Sequence, residues 1–327
     1  MAIALRNLCD AVFAGGGVKG IGFIGALEEL EKNGYKFQCV TGVSAGAIVA
    51  SLVAAGYRSY ELRDLLYAFD FSKLKDPTVL DYGGIFGKAI NAGARYGVYK
   101  TDYFLNWLTE LLAQKGKRVF RDLRTGETDE KYRYKFQATA TDVTDQTTLV
   151  LPRDIARFGI DPDTYPIAEA VRLSMSLPLF FMPTRLKDVK GREHIICDGG
   201  LLCNYPVDLL DDGTPNPPWP TIGFNFLKAS EERKESVGNI IDYGKTLVSI
   251  WLESEEDHHI SVSNGDFART ILVPTIIQRN GKPKKIKTAD FDIRLDEKMA
   301  LYANGQMAAR KFLETWDFES WRQTYRR

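Results

Sequence analysis

The chain reads as an α/β protein built on a mainly parallel sheet, and three features carry that reading. Short apolar runs alternate with helical patterns almost from the start. The first run, Asp10 to Ala14, gives way to Gly15-Gly16-Gly17-Val18-Lys19-Gly20 and then to a helix with Ile21, Ile24, Leu27 and Leu30 on one face, stopped at Asn33-Gly34. The second, Phe37 to Val43, is rich in β-branched residues and turns sharply through Gly42-Val43-Ser44-Ala45-Gly46 into a small-residue, apolar helix stopped by Gly56. Strand, helix, strand and helix make one βαβα unit, whose strands are parallel because the crossover helix returns the chain to the same end of the sheet.

In the pattern Gly-x-Ser-x-Gly the glycines let two backbone segments crowd a strained turn, and the serine hydroxyl stands exposed over a helix N-terminus. The free N–H groups and the helix dipole there favour developing negative charge. Ser44 is therefore a candidate nucleophile, with an ordinary small-residue turn as the plain alternative. Two readings of the glycine loop are opposed. Gly15-x-Gly17-x-x-Gly20 satisfies the dinucleotide fingerprint, which would make the chain an oxidoreductase, but that fingerprint needs an acidic residue about 20 positions on. No Asp or Glu occurs from Gln38 to Tyr60. The better account is an oxyanion hole formed beside Ser44 by backbone N–H groups of Gly15, Gly16, Gly17 and Val18.

The 327 residues can bury a sizeable core, as one large domain or two smaller ones. Lys and Arg total 43 and Asp and Glu total 43, so no overall field draws the chain to nucleic acid or an anionic membrane, and any membrane contact is local and peripheral. Cys9, Cys39, Cys197 and Cys203 form no Cys-x-x-Cys pair and read as reduced thiols of a cytoplasmic protein. Arg6 and Asp10 interrupt the N-terminus too early for a signal peptide, and no run reaches the ~18 apolar residues of a membrane span.

Further along, Ser59 and Thr101 are candidate caps of helices with Leu62, Leu65, Leu66 and Phe69, and with Phe104, Leu105, Leu108, Leu111 and Leu112, on their apolar faces. Between them, Asp76 to Lys100 combines five glycines with Ile85, Phe86, Tyr96 and Tyr99, the composition of a lid or of a structural loop. Lys135 to Asp142 alternates as a half-buried strand, and Thr147 to Leu151 makes another. A helix over Ile167 to Leu177 ends at Pro178, and Leu177 to Pro183 is apolar and proline-bounded, suited to an acyl-chain channel or a buried crossover. The strand Glu193 to Cys197 ends in Asp198-Gly199-Gly200. After a Pro-rich loop, Asp211 to Pro220, come the strand Thr221 to Leu227 and a charged helical stretch from Ser230 to Asp257. Asn280-Gly281 marks a hairpin carrying Lys282, Lys284, Lys285 and Lys287, which either meet lipid phosphates or guard a sheet edge. Asp296 is the expected cap of a last helix reaching Trp316.

A serine hydrolase normally uses histidine as base. Of three histidines, His258 and His259 sit in a charged run, and His194 lies about 13 Å along its strand from Asp198 at ~3.3 Å per residue. No metal-ligand spacing is present, so neither metal nor cofactor is expected. By elimination the base is a carboxylate, and Asp198 is best placed.

Gly15-Gly16-Gly17-Val18-Lys19-Gly20, Gly42-Val43-Ser44-Ala45-Gly46, Ser174-Met175-Ser176-Leu177-Pro178 with Phe181 and Pro183, and Asp198-Gly199-Gly200 ahead of Asn204 and Pro206 together resemble the patatin-like phospholipases. The resemblance spans Val12 to Phe226, and Phe291 to Leu313 resembles the family's closing helix. It implies a single domain over residues 1–327, with core motifs at 12–226 and a C-terminal hairpin and helices at 228–327, in a three-layer α/β/α fold. It also implies a Ser44–Asp198 dyad acting on acyl esters of phospholipids or lysophospholipids. Lys19 stands where many members have arginine. A thioesterase or transacylase with the same dyad, or a lipid-binding effector without turnover, are the remaining alternatives; an effector of that kind would be expected to have lost Ser44 or Asp198, and both are present.

Overall fold

A computed structural model of the chain describes residues 7–75, 96–227 and 265–326. The lid segment with Ile85 and Phe86, the charged stretch from Ser230 to Asp257, and His258 and His259 lie outside the described residues. The first half holds β1 (Leu8–Phe13), α1 (Ile21–Lys32), β2 (Lys36–Val43), α2 (Ala45–Ala55), α3 (Ser59–Ala68), β3 (Gly97–Tyr99), α4 (Asp102–Gln114), β4 (Phe136–Asp142) and β5 (Thr147–Leu151). The second holds α5 (Ile167–Ser174), β6 (Leu179–Phe181), β7 (Thr184–Lys187), β8 (Glu193–Asp198), β9 (Thr221–Leu227), β10 (Thr270–Pro274), β11 (Ile276–Arg279), β12 (Lys282–Lys285), α6 (Leu295–Thr315) and α7 (Phe318–Tyr325).

An eight-stranded sheet runs in the order β10-β9-β1-β2-β4-β8-β7, with β5 also paired to β4. From β10 to β4 the pairing is parallel; β5 and β8 run the other way, and β7, antiparallel to β8, returns to the direction of β4. Helices α1, α3 and α6 pack together, as do α2, α4 and α5, so helical layers enclose the sheet. This is the expected α/β architecture with a mainly parallel sheet. The core below the glycine loop is aromatic: Phe13 stacks on Phe224 and Phe23 on Phe226, each with ring centroids 4.4 Å apart.

Several local expectations are corrected. β4 is buried along its whole length instead of alternating, because it is flanked by strands on both edges and packed against α2 and α5. The N-cap positions fall to Arg58 and Arg294, not to Ser59 and Asp296. In each case the glutamate three residues into the helix, Glu61 or Glu297, accepts the cap residue's backbone N–H, at 2.8 and 3.2 Å. The Ser59 hydroxyl instead donates to Glu31 at 2.7 Å. Helix α5 stops at Ser174, short of Leu177, as the residues before Pro178 leave the helical region. The hairpin forms as expected, with Asn280 and Gly281 at φ 50° and 72°. Lys284 is not free for lipid: its ammonium is 2.7 Å from the buried carboxylate of Glu297, which ties the hairpin to α6.

Candidate active site

The sheet register explains how two residues 154 positions apart in sequence come to face each other. Strand β2 lies along one edge of β4 and ends with Val43 opposite Thr139. Strand β8 takes over the same edge from the other direction, ending with Asp198 opposite Ala140. The two strands meet end to end, and the residue that follows Val43 is Ser44.

The turn at Ser44 is strained, with φ 53° and ψ −121°, a conformation that L-residues rarely adopt and that costs about 1–3 kcal/mol. Its backbone N–H donates to the Ser174 hydroxyl at 3.0 Å, which holds the turn from α5. The glycines on either side are required by contact. A Cβ on Gly42 would lie 2.2 Å from the Gly46 carbonyl oxygen, and one on Gly46 would lie 2.3 Å from the Phe13 oxygen. Gly46→Ala is accordingly expected to destabilise the protein by at least about 2 kcal/mol, read as a lower urea midpoint with unchanged slope. An unchanged midpoint would show that the turn does not need this close approach.

Asp198 is fully buried. Its Oδ1 accepts the Gly200 N–H at 2.8 Å, while Oδ2 has no hydrogen-bond partner among the described residues. Burial raises its pKa from 3.8 to about 7, against the opposing pull of the Ser44 hydroxyl and the Gly200 N–H. Ser44 thus lies close enough to influence the carboxylate but makes no well-aligned hydrogen bond with it, a looseness common in such pairs before substrate enters. A Cβ on Gly199 would lie 2.4 Å from the Thr139 oxygen, so this turn also depends on close packing against β4.

Of the four expected oxyanion donors, two are already committed. The Gly15 N–H donates to the Asn204 carbonyl at 3.1 Å and the Val18 N–H to the Thr288 carbonyl at 3.2 Å. Those bonds shape the loop and leave the Gly16 and Gly17 N–H groups without partners among the described residues. Asn204 also donates through Nδ2 to the Gly15 oxygen at 3.3 Å, clamping the loop from both sides. Gly17 has φ 56°, and a Cβ there would lie 1.9 Å from the Thr288 oxygen. Lys19 is buried with its ammonium 4.6 Å from the centre of the Phe226 ring, and Gly20 starts the turn into α1. The first turn of α2 carries no acidic residue to neutralise its N-terminus beside Ser44.

These groups open on a cavity of about 50 Å³ whose walls are mostly apolar, among them Ile48, Phe71, Leu74, Leu177, Phe181 and Phe291. Leu177 precedes β6 and Phe181 ends it, and β6 pairs with β3, so the segment expected to be either channel or crossover contains a short strand and also lines the site. Sequence alone gives neither Ser174 nor Thr288 a role: Ser174 lies within the Ser174–Pro178 motif, whereas Thr288 reaches the loop only through long-range folding.

His194 is buried elsewhere, its Nδ1 2.8 Å from Asp142 Oδ2. Asp142, Asp145 and His194 gather their ligand atoms within 4.8 Å of one another. Arg157 and Arg192 already pair with Asp145 at 3.1 and 2.9 Å, which makes this an ion-pair network. No helix among the described residues is long and apolar enough to cross a membrane.

The family model of patatin-like phospholipases matches residues 11–211, a span holding the glycine loop, Ser44 and Asp198. YqhO of Bacillus subtilis (strain 168), an uncharacterised protein, is 34% identical over 310 residues, 94% of this chain and 99% of its own length. A probable lipid hydrolase of Invertebrate iridescent virus 6 is 25% identical over 204 residues, 61% of each chain. VipD of Legionella pneumophila shares the fold, with a TM-score of 0.53 at 18% identity over 95% of this chain and 67% of that one. On the family match and the full-length relative together, the chain belongs to the patatin-like phospholipase family.

Proposed function

We propose that this protein is a lipid acyl hydrolase of the phospholipase A or lysophospholipase type, with Ser44 as nucleophile and Asp198 as its base. The observation that carries this reading is the pairing of a strained, partly exposed serine with a buried carboxylate whose pKa is raised to about 7. A general base works best with a pKa near the working pH, and an ordinary aspartate at ~3.9 is too weak.

Asp198 Oδ2, which has no hydrogen-bond partner among the described residues, takes the Ser44 proton as the hydroxyl attacks the ester carbonyl. The Gly16 and Gly17 N–H groups, supported by the N-terminus of α2, hold the oxyanion; one such donor is worth roughly 2.7–4 kcal/mol in better-studied sites. The proton passes from Asp198 to the departing alcohol, leaving an acyl ester on Ser44. Water, deprotonated by the same carboxylate, then releases the fatty acid.

The apolar walls suit an acyl chain. At about 50 Å³ the cavity is well below the roughly 300–1,000 Å³ of sites that enclose whole ligands, so entry of a long chain requires side chains to move. Leu179, exposed between Leu177 and Phe181, supports local contact with a lipid surface. A thioesterase or transacylase would use the same residues with a different acyl donor or acceptor. Release of fatty acid from phospholipid, lysophospholipid and acyl thioester, each with water alone and with added alcohol, separates them. Fastest release from a phospholipid or lysophospholipid into water is the expected result; preference for the thioester, or transfer to the alcohol, would replace this reading.

A further inference from the structure

A second cavity, larger than the one at Ser44, lies elsewhere in the molecule. It measures about 570 Å³ and lies at the opposite end of the sheet, lined by Asp10, Gln38 and Thr221 from the N-terminal halves of β1, β2 and β9. Along β2, Cys39 and Ser44 are separated by roughly 17 Å at ~3.3 Å per residue. The volume falls within the ~300–1,000 Å³ typical of small-molecule sites.

Its lining includes the apolar and aromatic side chains of Trp219, Pro217, Pro218 and Tyr132. Its polar edges are already used. The Trp219 indole N–H donates to Asp10 Oδ2 at 2.8 Å, and the Tyr132 hydroxyl donates to the Leu210 carbonyl at 3.0 Å. Asp10 Oδ1 accepts the Cys39 N–H at 2.8 Å, so this buried carboxylate positions the indole and offers no free oxygen. Both rings are therefore held at the cavity wall by their polar edges.

Three of the cations lining the cavity have partners. Lys117 donates to the Asp122 carbonyl at 2.7 Å, Arg124 pairs with Asp163, and Arg326 pairs with Asp211. Lys135 differs from them. It is half-buried in the cavity wall, and its ammonium has neither a hydrogen-bond nor an ion-pair partner among the described residues. Burial lowers its pKa, opposed by the neighbouring Cys39 sulfur, and the cations Arg58 and Lys117 push the same way as burial. It also borders a neighbouring cavity of about 310 Å³, to which Arg58 contributes. A partly desolvated cation without a counter-charge is unfavourable unless an anion joins it.

We propose that this rear cavity binds a small organic oxyanion with a flat apolar body, the anionic head on Lys135 and the body against Trp219 and Tyr132. The proposal is independent of the role of Ser44.

An anilinonaphthalene sulfonate dye tests it by fluorescence titration of the intact protein, with uncharged anilinonaphthalene as the comparison. Lys135→Met is expected to bind the sulfonate at least about tenfold more weakly, the loss of one charge-assisted contact, and to bind the uncharged dye as wild type does. Lys135→Arg should keep the sulfonate affinity, and Ile48→Trp, which narrows the cavity at Ser44, should leave it unchanged. If Lys135→Met does not fold, Lys135→Gln takes its place with the same expected loss. Equal sulfonate affinity in wild type and the neutral variant would overturn the proposal, as would loss of binding on narrowing the Ser44 cavity.

Discussion

Replacing Ser44 with alanine is expected to lower acyl-ester hydrolysis by about 10⁴-fold or more, because the proposed mechanism carries the acyl group on its hydroxyl. The fold should survive. The side chain lies at a solvent-accessible turn, and the bond that anchors the turn comes from the Ser44 backbone N–H to Ser174. Ser44→Gly should be equally inactive but more stable than Ser44→Ala by about 1 kcal/mol, since glycine accepts φ 53° without strain. Urea unfolding of both variants beside a turnover assay checks the pair. Residual activity within tenfold of wild type would remove Ser44 from the mechanism.

The second large effect is on pH dependence, where activity and stability run in opposite directions. On the proposed mechanism the carboxylate of Asp198 is the working form, so kcat/KM is expected to rise about tenfold per pH unit below roughly 7 and to level off above it. Stability follows the other sign. The folded protein binds a proton at Asp198 with a pKa of about 7, against 3.8 for an unperturbed side chain. The stability this proton contributes is fully present below 3.8 and is lost as pH rises to about 7. Asp198→Asn carries no charge to bury and can keep the Gly200 N–H bond. At pH 8 it should be more stable than wild type by roughly 3–4 kcal/mol, converging with it near pH 4, while hydrolysis falls by about 10³-fold or more. Asp10 is also raised to about 7 by burial, but it is present in both proteins and cancels in the difference. Parallel stability profiles with a constant offset would contradict the assignment.

What could be read from sequence and what could not follow one physical line. Gly42, Ser44 and Gly46 were legible because a strand, a small-residue helix and two glycines constrain one turn locally. Asp198 was legible only as a carboxylate at a strand end. Its placement opposite Ser44 depends on β8 entering antiparallel along the edge of β4 that β2 vacates, and no local pattern encodes that register. The oxyanion loop shows the same division. Its glycines were evident, but that Asn204 and Thr288 engage the Gly15 and Val18 N–H groups is settled by residues far along the chain. The helix starts were missed for a simpler reason. Glu61 and Glu297 act from inside the first turn, so a serine or aspartate nearby drew the cap one or two residues too late.

The central claim is that Ser44 is a nucleophile activated by Asp198, and covalent labelling tests it most directly. Wild type, Ser44→Ala and Asp198→Ala are incubated with a fluorophosphonate ester in the presence of phospholipid vesicles and followed by intact mass. One adduct on wild type, none on Ser44→Ala and much slower labelling of Asp198→Ala is the expected result. Equal labelling of wild type and Ser44→Ala, or labelling of Asp198→Ala at the wild-type rate, would contradict the dyad.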